Sequence, residues 1–290
     1  MGIARLANRG LAHASTLALL ASLAACSYLP ESLQFGGGEQ EVPLEVQTPE
    51  EIFLSAEALL ESGSPREAGS LFSEVERLYP YSEWAKRAMM MAAFSYHEGG
   101  LYAESRAAAE RYLDFFPADV DAPYAQFLIG LSYYDQIVDI GRDQSNTFEA
   151  LQEMRDIIER YPDSVYATSA KLKFELALDH LAGKEMEIGR YYLNRGHYTA
   201  AINRFRVVVE EYQTTTHTPE ALHRLVESYL SLGLVLEAQT AAAILGHNFQ
   251  GSTWYRDSYA LLTSRGLQPQ NVGDGWLNQT YRQVIQGRWR

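Results

Sequence analysis

The chain has 290 residues, a formal net charge of −13, and 47% hydrophobic against 21% charged residues. So acidic a chain excludes a general affinity for nucleic acid or anionic surfaces, and nineteen Tyr with eleven Phe exclude disorder. Its single cysteine excludes an internal disulfide and any paired-cysteine metal or redox motif.

Arg5 and Arg9 precede the apolar run Leu17-Ala-Leu-Leu-Ala-Ser-Leu23. A bilayer span needs about 20 such residues, so residues 1–25 read as a signal peptide. The run exits through Leu23-Ala24-Ala25-Cys26, which resembles the lipobox of bacterial lipoproteins. That resemblance implies a cut before Cys26, a diacylglycerol on its thiol, and an acyl chain on the new amine. With Ser27 rather than Asp next, it also implies delivery to the outer membrane. The alternative is an ordinary signal peptide with a chance cysteine near its cut. More than one acyl chain makes such an anchor durable. Residues 26–47 carry Gly36-Gly37-Gly38, Pro and Glu without amphipathic period, and read as a tether.

From residue 48 a repeat organises the chain. A small residue, a bulky one four later and Pro eight after that recur in Ala68-x3-Phe72-x7-Pro80 and Ala150-x3-Met154-x7-Pro162. Ser105-x3-Ala109-x7-Pro117 is a weaker copy; Ala201-x3-Phe205 and Ala238-x3-Ala242 continue it with Gln213 and Gln250 in place of Pro. Upstream stand Leu59, Tyr96, Tyr133, Tyr192 and Tyr229, spaced by 37, 37, 59 and 37. One turn before each lies Ala56, Ala93, Gly130 or Gly189, with Val226 departing. The pattern resembles the tetratricopeptide repeat. Small residues let paired helices approach, aromatics fill the seam, and proline ends the second helix. Ala68, Ala150, Ala201 and Ala238 are expected to be buried.

These signals predict an all-α solenoid of five helix pairs at 48–81, 82–118, 122–163, 182–213 and 218–250. Repeat three carries an insertion around Gly141–Asn146, and 164–181 form an extra helical stretch running into repeat four. Thr48-Pro49-Glu50-Glu51 and Ser64-Pro65-Arg66-Glu67 read as helix starts with a hydroxyl cap, and Thr218-Pro219 as a third. A capping helix follows at 253–264. Residues 266–290 read as a linker and an amphipathic, basic tail, with Leu277, Tyr281, Val284 and Ile285 on one face. The tail is a candidate for docking a partner, a membrane or its own solenoid.

In such repeats the first helix of each pair lines the concave face. Its inward positions hold Phe53, Glu57 and Leu60; Met90, Phe94 and His97; and Phe127, Leu131 and Tyr134. The last two pairs place Met186, Arg190 and Leu193, then His223, Glu227 and Leu230 there. The first half thus reads as an apolar, aromatic trough for an extended peptide, with Phe53, Leu60, Met90, Phe94, Phe127, Leu131 and Tyr134 as client-binding candidates. The alternative is that tight curvature buries these side chains as core.

The chain has no HExxH, GxxxxGK[ST] or GxSxG motif, so no catalytic, metal or cofactor residue is assigned beyond the covalent lipid at Cys26. Glu227-Ser228 matches a pair found in lytic transglycosylases, but without the rest of that signature.

The detailed pattern resembles the BamD (ComL) family of outer-membrane assembly lipoproteins. The resemblance rests on Thr48-Pro49-Glu50-Glu51-x-Phe53, Tyr79-Pro80-Tyr81-Ser82-x-Trp84-Ala85, Arg142-Asp143-Gln144 and Arg160-Tyr161-Pro162-Asp163-Ser164. Its longest block is Glu187-x3-Tyr191-Tyr192-x2-Arg195-Gly196-x2-Tyr198-x-Ala200-Ala201-x-Asn203-Arg204. It spans about 45–250, including the 59-residue gap, and departs at Gln213 and after 266. It implies a non-enzymatic subunit of the machinery that inserts β-barrels into the outer membrane, anchored by lipid at the periplasmic face. Implied partners are unfolded outer membrane proteins at the trough, a BamA-like barrel protein at the C-terminal repeats, and other assembly-complex lipoproteins. Arg195 and Arg204 are the interface candidates toward the BamA-like partner. The rival readings are a repeat lipoprotein of cell-wall, division or pilus-secretin assembly, and a lytic enzyme using Glu227.

Overall fold

The structure, a computed structural model, describes residues 43–270, 275–277 and 279. The signal peptide, Cys26, most of the tether and the tail beyond 279 lie outside the described residues. The chain divides into two compact units, Met1–Gln47 and Thr48–Arg290. In the first, the described residues hold a 3-10 turn at Leu44–Val46.

Across its described residues the second unit is all-α. Its described helices are α1 (Pro49–Glu61), α2 (Pro65–Leu78), α3 (Glu83–Glu98), α4 (Tyr102–Phe115), α5 (Ala122–Tyr134) and α6 (Ser145–Arg160). They continue as α7 (Val165–Asn194), α8 (Tyr198–Glu211), α9 (Thr218–Ser231), α10 (Val235–Asn248) and α11 (Thr253–Thr263). Helices α1 to α10 pack chiefly on their neighbours in sequence, α11 packs on both α9 and α10, and α1, α3, α5 and α7 also touch in series, as stacked helix pairs require.

Local chemistry sets the boundaries. Thr48 and Glu51 form a reciprocal cap on α1: the Glu51 amide donates to Thr48 Oγ1 at 3.3 Å and the Thr48 amide to Glu51 Oε2 at 2.7 Å. Two expected hydroxyl caps are corrected. Ser64 makes no side-chain cap bond, leaving Pro65 as the start signal of α2. Thr218 lies inside α9 with its hydroxyl turned back to the carbonyls of Tyr212 and Gln213, at 3.1 and 3.0 Å. Ser82 and Ser252 instead cap α3 and α11.

Turns within pairs place Gly63, Gly100, Gly196 and Gly233 at φ between 71° and 83°, a conformation that costs side-chain-bearing residues. The second helix of each pair ends on an aromatic: Tyr79, Phe116, Tyr161, Tyr212 and Phe249 are the C-caps of α2, α4, α6, α8 and α10. Gln213 therefore replaces proline without prolonging α8.

Ala68, Ala150, Ala201 and Ala238 are fully buried. Of the tail, Leu277 is 3% exposed and Trp276 packs on the same C-terminal core. Trp276 Nε1 donates to Tyr229 Oη at 3.2 Å, and the Arg206 guanidinium lies 4.8 Å from its ring. These described tail residues fold back on the solenoid.

The stretch 164–181 and the first helix of repeat four are one continuous helix, the thirty residues of α7. The insertion before it is ordered by Gln144, 4% exposed, whose Nε2 donates to the carbonyls of Asp139 and Arg142 at 3.3 and 3.1 Å. Lys184 Nζ donates to the Arg142 carbonyl at 3.1 Å and ties the insertion to α7.

Candidate functional site

The inner-face candidates fall into two groups. Phe53 is 1% exposed, its ring 5.0 Å from those of both Phe72 and Trp84, with the Arg87 guanidinium 4.9 Å from its centre. It is core, not an open trough wall, because α2 and the start of α3 enclose it. Leu60 on α1, Met90 and Phe94 on α3, and Phe127, Leu131 and Tyr134 on α5 are half-buried. Such side chains keep part of their surface available to a ligand.

The accessible aromatics extend onto α7. Tyr166 stacks on Tyr124 at 5.1 Å and on Phe127 at 5.4 Å, both at 29° between planes. Lys173 Nζ lies 4.4 Å from the Tyr134 ring centre. Burial, then the neighbouring Tyr166 and Glu98, push Tyr124 up to about 12. Burial and then Asp135 raise Tyr134. Both phenols are neutral donors at physiological pH. Tyr166 and Lys173 escaped the sequence reading because they fall in the stretch between repeats. Their signal was an aromatic and a lysine seven residues apart on a helix with no breaker.

His97 lies at the end of this surface, held between Ser132 Oγ and Asp135 Oδ2, each at 3.2 Å. Further along, Met186 is fully buried and Leu230 is 6% exposed, so both are core; Leu193 is half-buried. Arg190, Glu220, Arg224 and Glu227 form a chain of ion pairs, with contacts of 3.0, 3.2 and 2.8 Å. His223 joins its end, with Nδ1 2.8 Å from Ser258 Oγ and Nε2 3.6 Å from Glu227 Oε1. Burial pushes the Glu227 carboxyl up, but hydrogen bonds and charges from His223 and Arg224 outweigh it and leave it below its ordinary value. A lytic general acid needs the opposite shift.

Arg195 is exposed at the C-cap of α7, its guanidinium 4.3 Å from the Tyr191 ring centre. Arg204 Nη1 on α8 pairs with Glu185 at 3.1 Å. Two adjoining depressions share Tyr192 and Ala200. One of about 570 Å³ runs past Gly196 and Tyr198 to Leu232. The other, of about 320 Å³, is walled by Asn203, Arg204 and Val207. Arg204 therefore lines a concave surface, and Arg195 lies in the turn beside it.

One pocket had no counterpart in the sequence reading. It holds about 570 Å³ between the ends of α2 and α4, floored by Met89 and Phe116 and rimmed by the exposed Tyr81 and Phe115. The Arg111–Glu76 pair, at 2.9 Å, forms one wall.

Among the described residues no three His, Cys, Asp or Glu side chains are grouped to hold a metal ion. No described helix is long and apolar enough to cross a membrane.

Residues 45–244 match the YfiO family model, described as outer membrane lipoprotein. The chain belongs to that family. The protein named outer membrane protein assembly factor BamD in Caulobacter vibrioides is 48% identical over 224 residues, covering 77% of this chain and 73% of the relative. The protein of the same name in Rickettsia prowazekii is 41% identical, covering 70% of this chain and 81% of that one. Among solved structures, a TPR protein of Thermus thermophilus is 19% identical with a TM-score of 0.34, covering 74% of this chain and 98% of that one.

Proposed function

We propose that the protein is a lipid-anchored, non-enzymatic scaffold of outer membrane protein assembly, working in a complex with a BamA-like barrel protein and other lipoproteins. Its 48% identity to a relative named assembly factor BamD carries this reading. Residues 1–25 are removed as a signal peptide, Cys26 carries the lipid, and 26–47 tether the repeats to the periplasmic face of the outer membrane. The solenoid presents five repeats, at 48–81, 82–118, 122–163, 182–213 and 218–250, a capping helix at 253–264, and a tail at 266–290.

Unfolded outer membrane proteins bind along Leu60, Met90, Phe94, Phe127, Leu131 and Tyr134, while Phe53 supports this wall from the core. The half-burial of these side chains supports that role, since each keeps apolar surface in reach of a peptide while its other side is fixed by packing. Arg195 and Arg204 meet the BamA-like partner, and the concavity that Arg204 lines supports a shaped interface there.

Affinity purification from detergent-solubilised envelopes through a C-terminal tag tests the assembly role. A barrel protein with periplasmic repeat domains, recovered in near-equal amount, is expected. Recovery of division or secretin components instead overturns the reading. A Phe94→Asp/Phe127→Asp double variant is expected to lose cross-linking to client peptides while remaining helical; wild-type cross-linking removes the trough assignment. Cys26→Ala is expected to release the protein from the outer membrane, and unchanged fractionation refutes the anchor.

A further inference from the structure

The long helix α7 is covered on one face over only half its length. Asp179, Gly183 and Arg190 look toward α9 and the turn that leads into it. The Thr216 amide donates to Asp179 Oδ1 at 2.9 Å, and Arg190 pairs with Glu220 at 3.0 Å. A side chain at Gly183 would begin 3.3 Å from His217 Nε2. Stepping back by sevens from Asp179 reaches Leu172 and Val165, and from Gly183 reaches Leu176. A spacing of seven returns to almost the same side of a helix. These three apolar residues therefore continue the face that α9 meets, but α9 begins only at Thr218. They are 81%, 58% and 50% exposed at Val165, Leu172 and Leu176.

We propose that the first half of α7 is a docking seam for an amphipathic helix from a partner protein. The occupant continues along the side of α7 that Thr216, His217 and Glu220 meet on the second half, with leucine-type side chains spaced by three and four residues. The bare stretch, 165–178, matches α9 in length, and fourteen residues of helix measure about 21 Å. Lys171 and Glu175, exposed on one flank, offer a cation and an anion four residues apart. The partner helix therefore carries an acidic and a basic residue, one turn apart, beside its apolar ridge. The seam lies outside the residues given to client and partner binding above.

The test uses full-length protein carrying Leu172→Cys, with Glu104→Cys on exposed α4 as the control. Maleimide labelling is compared between native envelopes and the purified chain. Several-fold slower labelling at 172, with the control unchanged, is expected in envelopes. A photo-cross-linking residue at 176 is expected to join a segment of a different protein whose apolar residues recur at heptad spacing. Equal labelling rates overturn the proposal. So does a cross-link solely to a second copy of this chain, or to a segment without helical period. Because Leu172 and Leu176 are half or more exposed, neither change threatens the fold.

Discussion

Gly189 lies directly beneath the ring of Phe205: a methyl group on its Cα would start 2.4 Å from Cε1. Sixteen residues separate these two, as they do Ala56 and Phe72, Ala93 and Ala109, and Val226 and Ala242. All eight are fully buried or nearly so. Where the first helix offers a glycine the second can present a ring, as at Gly189 and Phe205, whereas Val226 is matched by the small Ala242. Repeat three widens the interval to twenty-four, yet Gly130 still faces Met154, at 3.0 Å from a built methyl.

Gly189→Ala is therefore expected to destabilise the protein. Helix propensity alone favours Ala by roughly 0.5–1 kcal/mol, while overpacking a dense core costs about 1–3 kcal/mol. The clash is with a fully buried ring, so the second effect wins. Urea denaturation measures the sum; a stabilised variant contradicts the packing.

Glu153 on α6 accepts from Gln126 Nε2 on α5 at 2.5 Å, and faces Glu110 of α4 with Glu149 and Asp156 of its own helix. Burial first, then these carboxylates, push it up to about 7 from 4.5. A raised acid binds its proton more tightly folded than unfolded, so it favours the fold most below 4.5. That contribution is lost as pH rises to about 7. Glu153→Gln is expected to flatten the slope of stability in this window. Parallel pH profiles for the variant and the parent count against it.

Asp119 behaves oppositely. It accepts from Lys86 and from Tyr112 Oη, the latter at 2.6 Å, and from the Asp121 amide at 3.1 Å. These bonds, that from Lys86 foremost, hold it at about 2. Its contribution is complete above 3.8 and is lost as pH falls toward about 2. Asp119→Asn is expected to lower the melting temperature at neutral pH, with a smaller gap from the parent near pH 2. A gap that stays constant places the effect elsewhere.

Leu277→Ala is expected to cost about 2 kcal/mol or more, the usual penalty for emptying a buried leucine site. Hydrogen exchange read along α9 and α10 locates the loss, since Leu277 packs on the cluster that holds Leu222, Tyr229 and Ala241. Unchanged protection there detaches the tail from the solenoid.

Repeat spacing made the helix pairs and their small–large contacts legible, because a side chain's type reports directly on the room available to it. Phe53 was misplaced for a different reason. Helical period says which way a residue points, but not whether Trp84, two helices on, closes over it. The run of 164–181 into the first helix of repeat four was legible as well, because nothing between Val165 and Leu181 breaks a helix. The depressions beside Tyr192 and the pocket beneath Tyr81 join residues of separate turns and helices, and no spacing along one helix reports them.

An unbroken helix of thirty residues is about 45 Å of stiff rod. Its first half belongs to the aromatic surface through Tyr166, and its last turn carries Tyr192 and ends at Arg195. The two ends are joined by one continuous ladder of backbone hydrogen bonds rather than by a hinge. A tilt imposed on one end therefore arrives at the other as a swing of the whole lever, with no slack to absorb it.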